Sequence, residues 1–155
     1  MIIQKVLPIS LLLFFTIFSC SNNEDDNSTG SENGHPPAEM IDTWIYKSVT
    51  VNSIPSSLSV VMDWDPNAVE ARLHIVNDIG SYVYEEVNSV GGQLFAETGF
   101  VHVEGNAVEI NKLEDGQGNP INETVFMTFE LVSDTLTLQE IDDGTTLVFT
   151  LFRDP

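Results

Sequence analysis

"LVSDTLTLQEIDDGTTLVFTLFRDP", residues 131–155, decides the fold class. Leu136 and Leu138 alternate with polar neighbours, and Leu147, Phe149 and Leu151 repeat the pattern. A period of two puts every second side chain on one face, which is strand geometry; a helix brings apolar residues back every three or four positions. "DDG" at 142–144 separates the two runs. Asp-Gly supplies the positive φ that a tight antiparallel turn needs. Just upstream, Val125, Met127, Phe129 and Leu131 form one face of another strand.

The same alternation runs outward from there. "GFVHVEGNAVEIN", 99–111, reads as a hairpin around Gly105-Asn106. "TWIYKSVTV", 43–51, is a strand with Trp44 and Tyr46 on one face. Val69, Ala71, Leu73 and Ile75 alternate with Glu70, Arg72, His74 and Val76, and "NDIG" at 77–80 turns the chain into "SYVYEEV". "DPN" at 65–67 would also suit a helix start, with Pro in the first turn. The clean alternation favours a strand over 69–76. The sum is about eight or nine short strands with no long helix, which argues for an all-β antiparallel sandwich or up-and-down barrel.

The chain of 155 residues suits one folded domain. It carries 24 acidic residues against 5 basic, a net charge of −19. So acidic a surface repels nucleic acid, whose binding rests on Lys and Arg neutralising phosphates. Cys20 is the only cysteine, which excludes an intramolecular disulfide and a Cys-based zinc site.

Residues 1–19 have the parts of a secretory signal: Lys5, the apolar run "VLPISLLLFFTIFS" and a small residue before a cut. The run is short for a membrane span, which needs about 20 residues. Ile17-Phe18-Ser19-Cys20 resembles the lipobox of bacterial lipoproteins, although Phe18 is bulkier than the usual residue there. The resemblance implies that Cys20 takes lipid through its thiol and becomes the mature N-terminus. More than one acyl chain gives stable anchoring, at about 0.8 kcal/mol per buried CH₂. Residues 20–39 then read as an acidic, disordered tether, since "SNNEDDNSTGSENGHPP" (21–37) has no aliphatic or aromatic residue to bury. Glu24-Asp25-Asp26 resembles the acidic export signal of surface-displayed Bacteroidetes lipoproteins. These resemblances imply an exported chain held on the outer membrane, on either face.

Residues 40–155 form the expected domain. "IDTWIYKSVTVN", "ETGFVHVEGNAVEI" and the closing stretch resemble the small lipocalin-like domains of secreted bacterial lipoproteins, especially in Bacteroidetes. Thr43-Trp44, Gly99 with Gly105-Asn106, and Asp134-Thr135-Leu136-Thr137-Leu138 match; Asp42 stands where that family has Gly. The resemblance implies a small antiparallel up-and-down barrel with Trp44 plugging one end. It implies no cofactor and no particular ligand.

Candidate binding residues are Trp44, Tyr46, Tyr82, Tyr84 and Phe129, aromatics that suit an amphipathic ligand and equally suit sheet packing. An eight-stranded barrel is just wide enough to be filled by side chains or to hold one small ligand. "DWDPN" (63–67) and "EDGQGNPINE" (114–123) have spaced oxygen ligands but lack a calcium loop's Gly and Glu, so they read as polar turns. His74 and His102 show no metal-ligand spacing, and no nucleophile elbow, phosphate loop or dinucleotide fingerprint is present. The expectation is a non-enzymatic binding module for a small apolar or amphipathic molecule. Its rival is a filled barrel that meets another cell-envelope protein.

Overall fold

A computed structural model describes residues 31–155. The signal segment 1–19, Cys20 with its expected lipid, and Glu24-Asp25-Asp26 lie outside the described residues.

The strands are β1 (Ser31–Gly34), β2 (Thr43–Val51), β3 (Ile54–Ser56), β4 (Glu70–Ile75), β5 (Ser81–Val87), β6 (Gln93–Gly105), β7 (Ala107–Asp115), β8 (Pro120–Val132), β9 (Thr135–Asp142) and β10 (Thr145–Arg153). Helical structure among the described residues amounts to α1 (Leu58–Val61) and a 3₁₀ turn at Ala38–Met40. Strands β2 and β4 to β10 each pair antiparallel with the next, and β10 returns to β2 through Phe149↔Val49 and Leu151↔Tyr46. This is a closed eight-stranded up-and-down barrel. The expected strand over 69–76 is β4. Closure removes the free edges on which open sheets aggregate.

Two short strands are added to the barrel. β3 pairs with β2, and β1 pairs with β6 through Ser31↔Gly105 and Gly34↔Val103. β1 corrects the expected extent of the tether: the chain joins the sheet at Ser31, before Met40, and Pro36 is buried. Backbone N–H and C=O groups pair whatever the side chains are, so a polar composition does not exclude a strand beside an open ladder.

The tight turns follow their residues. Glu104↔Ala107 leaves Gly105 and Asn106 as a two-residue loop, with Gly105 at φ 62°. Asp142↔Thr145 leaves Asp143 and Gly144 at φ 46° and 81°, the double positive φ of the hairpin turn whose twist matches its strands. In β2, Ser48 pairs with Thr150 but Tyr46 pairs with the next residue, Leu151. Lys47 is therefore the extra residue of a bulge, and the inward phase shifts from Trp44 and Tyr46 to Val49.

Inward side chains change character along the barrel. One end is packed solid by Met40, Trp44, Ile75, Val103, Val108, Leu136 and Leu151, all fully buried. There the Trp44 indole N–H donates to the Met40 carbonyl at 2.9 Å. Each such buried side chain contributes roughly 1.5–3 kcal/mol relative to exposure. The other end carries α1 and the turns at 88–92, 115–119 and 143–144, and its interior is not filled.

Candidate functional site

The unfilled end is an open cavity of about 780 Å³. Its apolar wall comes from Leu73 on β4, Ile110 on β7, Val125 and Met127 on β8, and Leu147 and Phe149 on β10. Val61 and Met62, in and just after α1, and Leu94 and Phe95 on β6 stand at its mouth. Three tyrosines share the wall. The Tyr46 ring packs edge-on against Tyr84 and Phe149, with centroids 6.0 Å away in each case.

Of the candidate residues, the structure brings Tyr46, Tyr82 and Tyr84 together on this cavity. Trp44 and Phe129 are not in its lining; both belong to the buried core. The reason is position along the strand. Both sit at the end where the inward rows of neighbouring strands meet and close.

Carboxylates also face inward, and reading the residues alone missed them. Glu86 shares the phase of Tyr82 and Tyr84 on β5, and is 3 % exposed. It accepts the Tyr84 hydroxyl at 3.0 Å and the Asp65 backbone N–H at 2.7 Å, which ties the segment after α1 to the barrel wall. Glu97 accepts the Tyr82 hydroxyl at 3.2 Å. Lys112 Nζ lies 3.3 Å from Glu123 and 3.9 Å from Glu97. Glu140 follows the inward phase of Leu136 and Leu138 and pairs with Met127 and Leu147. For Glu86 and Glu140 the available signal was this phase, since a carboxylate two residues from a buried aromatic or leucine points the same way; Glu97, between Gly99 and the exposed Phe95, had no such signal.

Burial raises the pKa of Glu97 above the ordinary glutamate range despite the nearby Lys112 ammonium and the Tyr82 hydrogen bond. Glu140 is raised by burial and then by Asp142. Tyr46, Tyr82 and Tyr84 are all pushed up, first by desolvation and then by the neighbouring glutamates, so their hydroxyls stay protonated. The aromatic residues expected of an amphipathic site are joined here by an acidic region that the candidate list did not contain.

The remaining candidate motifs are accounted for locally. Asp65 Oδ1 accepts from the Asn67 backbone N–H at 2.8 Å and from its side-chain amide at 3.0 Å. Asp115 accepts from the backbone N–H groups of Gln117 and Asn119 and from the Asn119 side chain, which lowers its pKa. Both stretches are turns built on an Asp side chain. His74 sits between Thr43 Oγ1 at 2.9 Å and Glu85 Oε1 at 3.1 Å. His102 lies apart from it, in a shallow hollow with His35 and Glu109. Among the described residues, no three His, Cys, Asp or Glu side chains group as a metal ion requires.

No family model matches the chain, and neither the curated proteins nor the solved structures give a match.

Proposed function

We propose that this chain is an exported, lipid-anchored, non-enzymatic binding protein whose barrel holds one small amphipathic molecule. The cavity carries the reading. About 780 Å³ lies within the roughly 300–1,000 Å³ usual for small-molecule sites. Its apolar wall would take the body of a ligand, and its tyrosine and glutamate groups would orient a polar end. The rival reading needs a filled barrel, and this cavity weighs against it. The anchor rests on Ile17-Phe18-Ser19-Cys20.

Native mass spectrometry of protein taken gently from cells tests the binding half. A co-purified small-molecule mass that disappears on denaturation is the expected result. A bare protein mass, unchanged by added amphiphiles, rejects it. Mass spectrometry of the N-terminal peptide tests the anchor half: an acyl mass on Cys20 is expected, and an unmodified Cys20 rejects it.

A further inference from the structure

We infer that the ligand of this cavity carries a cationic, ammonium-type group, drawn to the acidic part of the wall that Glu97 and Glu140 supply, with its apolar body against Phe149, Val125 and Met127. The inference rests on the binding reading above and names the chemistry of the ligand's polar end.

The first support is the charge of the enclosed space. Six carboxylates line the cavity, from Asp63, Asp65, Glu86, Glu97, Glu123 and Glu140, against the single ammonium of Lys112. In a partly enclosed space these charges act at lower effective dielectric than on an open surface. A cation entering gains attraction, an anion meets repulsion, and a neutral molecule gains little.

The second is that parts of this wall lack partners. Tyr46 makes no side-chain hydrogen bond among the described residues, although burial with nearby Glu97 withdraws its phenol from bulk water. The half-buried Tyr46 hydroxyl faces the open cavity, where its oxygen can accept a hydrogen bond from a ligand N–H. Glu140 likewise makes no hydrogen bond or ion pair among the described residues. Glu86, by contrast, is fully engaged by Tyr84 and Asp65.

The third is that the barrel already holds an ammonium here. Lys112 reaches Glu123 and Glu97 from β7, so the wall is shaped to accept such a group. One lysine cannot neutralise the whole ring. Burial raises the pKa of both Glu97 and Glu140, so each pays for partial dehydration that a bound cation would offset.

The test compares three probes that share one apolar body: 4-phenylbutylammonium, 4-phenylbutanol and 5-phenylpentanoate. The purified mature chain is held in phosphatidylcholine nanodiscs and titrated calorimetrically against empty-nanodisc controls. The ammonium should bind about tenfold or more tighter than the alcohol, with the carboxylate weakest. In the Glu97→Gln/Glu140→Gln variant the ratio of ammonium to alcohol affinity should collapse toward one. Each single variant, checked for folding by circular dichroism, should give an intermediate ratio. If the alcohol or the carboxylate binds as tightly as the ammonium, the cation inference falls and the binding reading stands. An unchanged ratio in the double variant also overturns the inference. If none of the three binds, the binding reading fails and takes this one with it.

Discussion

The Arg153 guanidinium lies 4.9 Å from the centroid of the Trp44 ring. Trp44 stands near the start of β2 and Arg153 ends β10, and the two are register partners across the seam where the barrel closes. Arg153 also donates to Asp42 Oδ2 at 2.8 Å and to the Glu39 carbonyl at 2.9 Å. One side chain therefore ties the end of β10 to β2, to Asp42 just before it and to the preceding 3₁₀ turn at the packed end. The opposite end is left free to be hollow.

Trp44→Ala removes a fully buried ring and a buried hydrogen bond, and should cost about 3–5 kcal/mol. Arg153→Ala should cost less, about 1–2 kcal/mol, because its side chain keeps solvent contact. A double-mutant cycle should return a coupling of about 0.5–2 kcal/mol. Urea midpoints at constant m-value measure all three. Additive losses would show that the stacking seen between the two carries no energy.

The strands were legible because apolar period-two runs alternate with Gly-Asn and Asp-Gly turns, whose backbone demands are local; the choice of barrel over sandwich came from the resemblance. Trp44 as plug was implied by the resemblance, while its candidacy as a binding residue fails because it lies in the packed core. The acidic lining was not. In "SYVYEEV" Glu85 faces out and Glu86 faces in, and nothing in residue type separates them. Only the phase set by Tyr82 and Tyr84 does. The bulge at Lys47 was hidden for a related reason: it is a property of the pairing with β10, not of β2 alone. β1 was missed because its pairing uses backbone that any composition supplies.

Gly99 is a further point where the barrel depends on one absent atom. A Cβ there would lie 1.9 Å from the Asn111 carbonyl oxygen and 2.8 Å from a Tyr82 ring carbon. Backbone cannot move aside as a flexible side chain can, so Gly99→Ala should cost at least about 1–3 kcal/mol and shift Tyr82 from the cavity wall. Thermal unfolding and the environment of Tyr82 by NMR read both effects. A variant as stable as the parent would mean that β6 and β7 can separate here without loss.

Glu86 fastens the segment after α1 to the barrel through Asp65. Glu86→Ala removes that acceptor and leaves the Tyr84 hydroxyl without its partner, a loss of about 1–3 kcal/mol. The Asp65 amide should exchange its proton faster in the variant, by more than the global stability change accounts for. Exchange that tracks global stability alone would show that residues 58–69 are held by packing, not by this carboxylate.

Glu97 and Glu140 set how stability responds to pH. Both carboxyls have raised pKa values in the folded protein, mainly through burial. Between the ordinary glutamate value and the raised one, the folded state binds more protons than the unfolded state, so unfolding free energy falls as pH rises through that window. Lowering the pH through that window, toward the ordinary glutamate value, should therefore stabilise the barrel through these two groups. The lowered pKa of Asp115 acts oppositely, but only below the ordinary aspartate range, where its contribution is lost as pH falls. Glu97→Gln/Glu140→Gln keeps the shape and removes both charges. At about pH 7 it should be more stable than the parent, and the difference should shrink as the parent's own carboxyls take up protons. Urea midpoints of the two proteins across this range decide it, and a variant less stable at neutral pH would sink the idea. The same substitutions should weaken ammonium binding, so stability and affinity move in opposite directions. That opposition is the cost expected of the proposed ammonium site, whose charges stand partly dehydrated where packing side chains would be more stable.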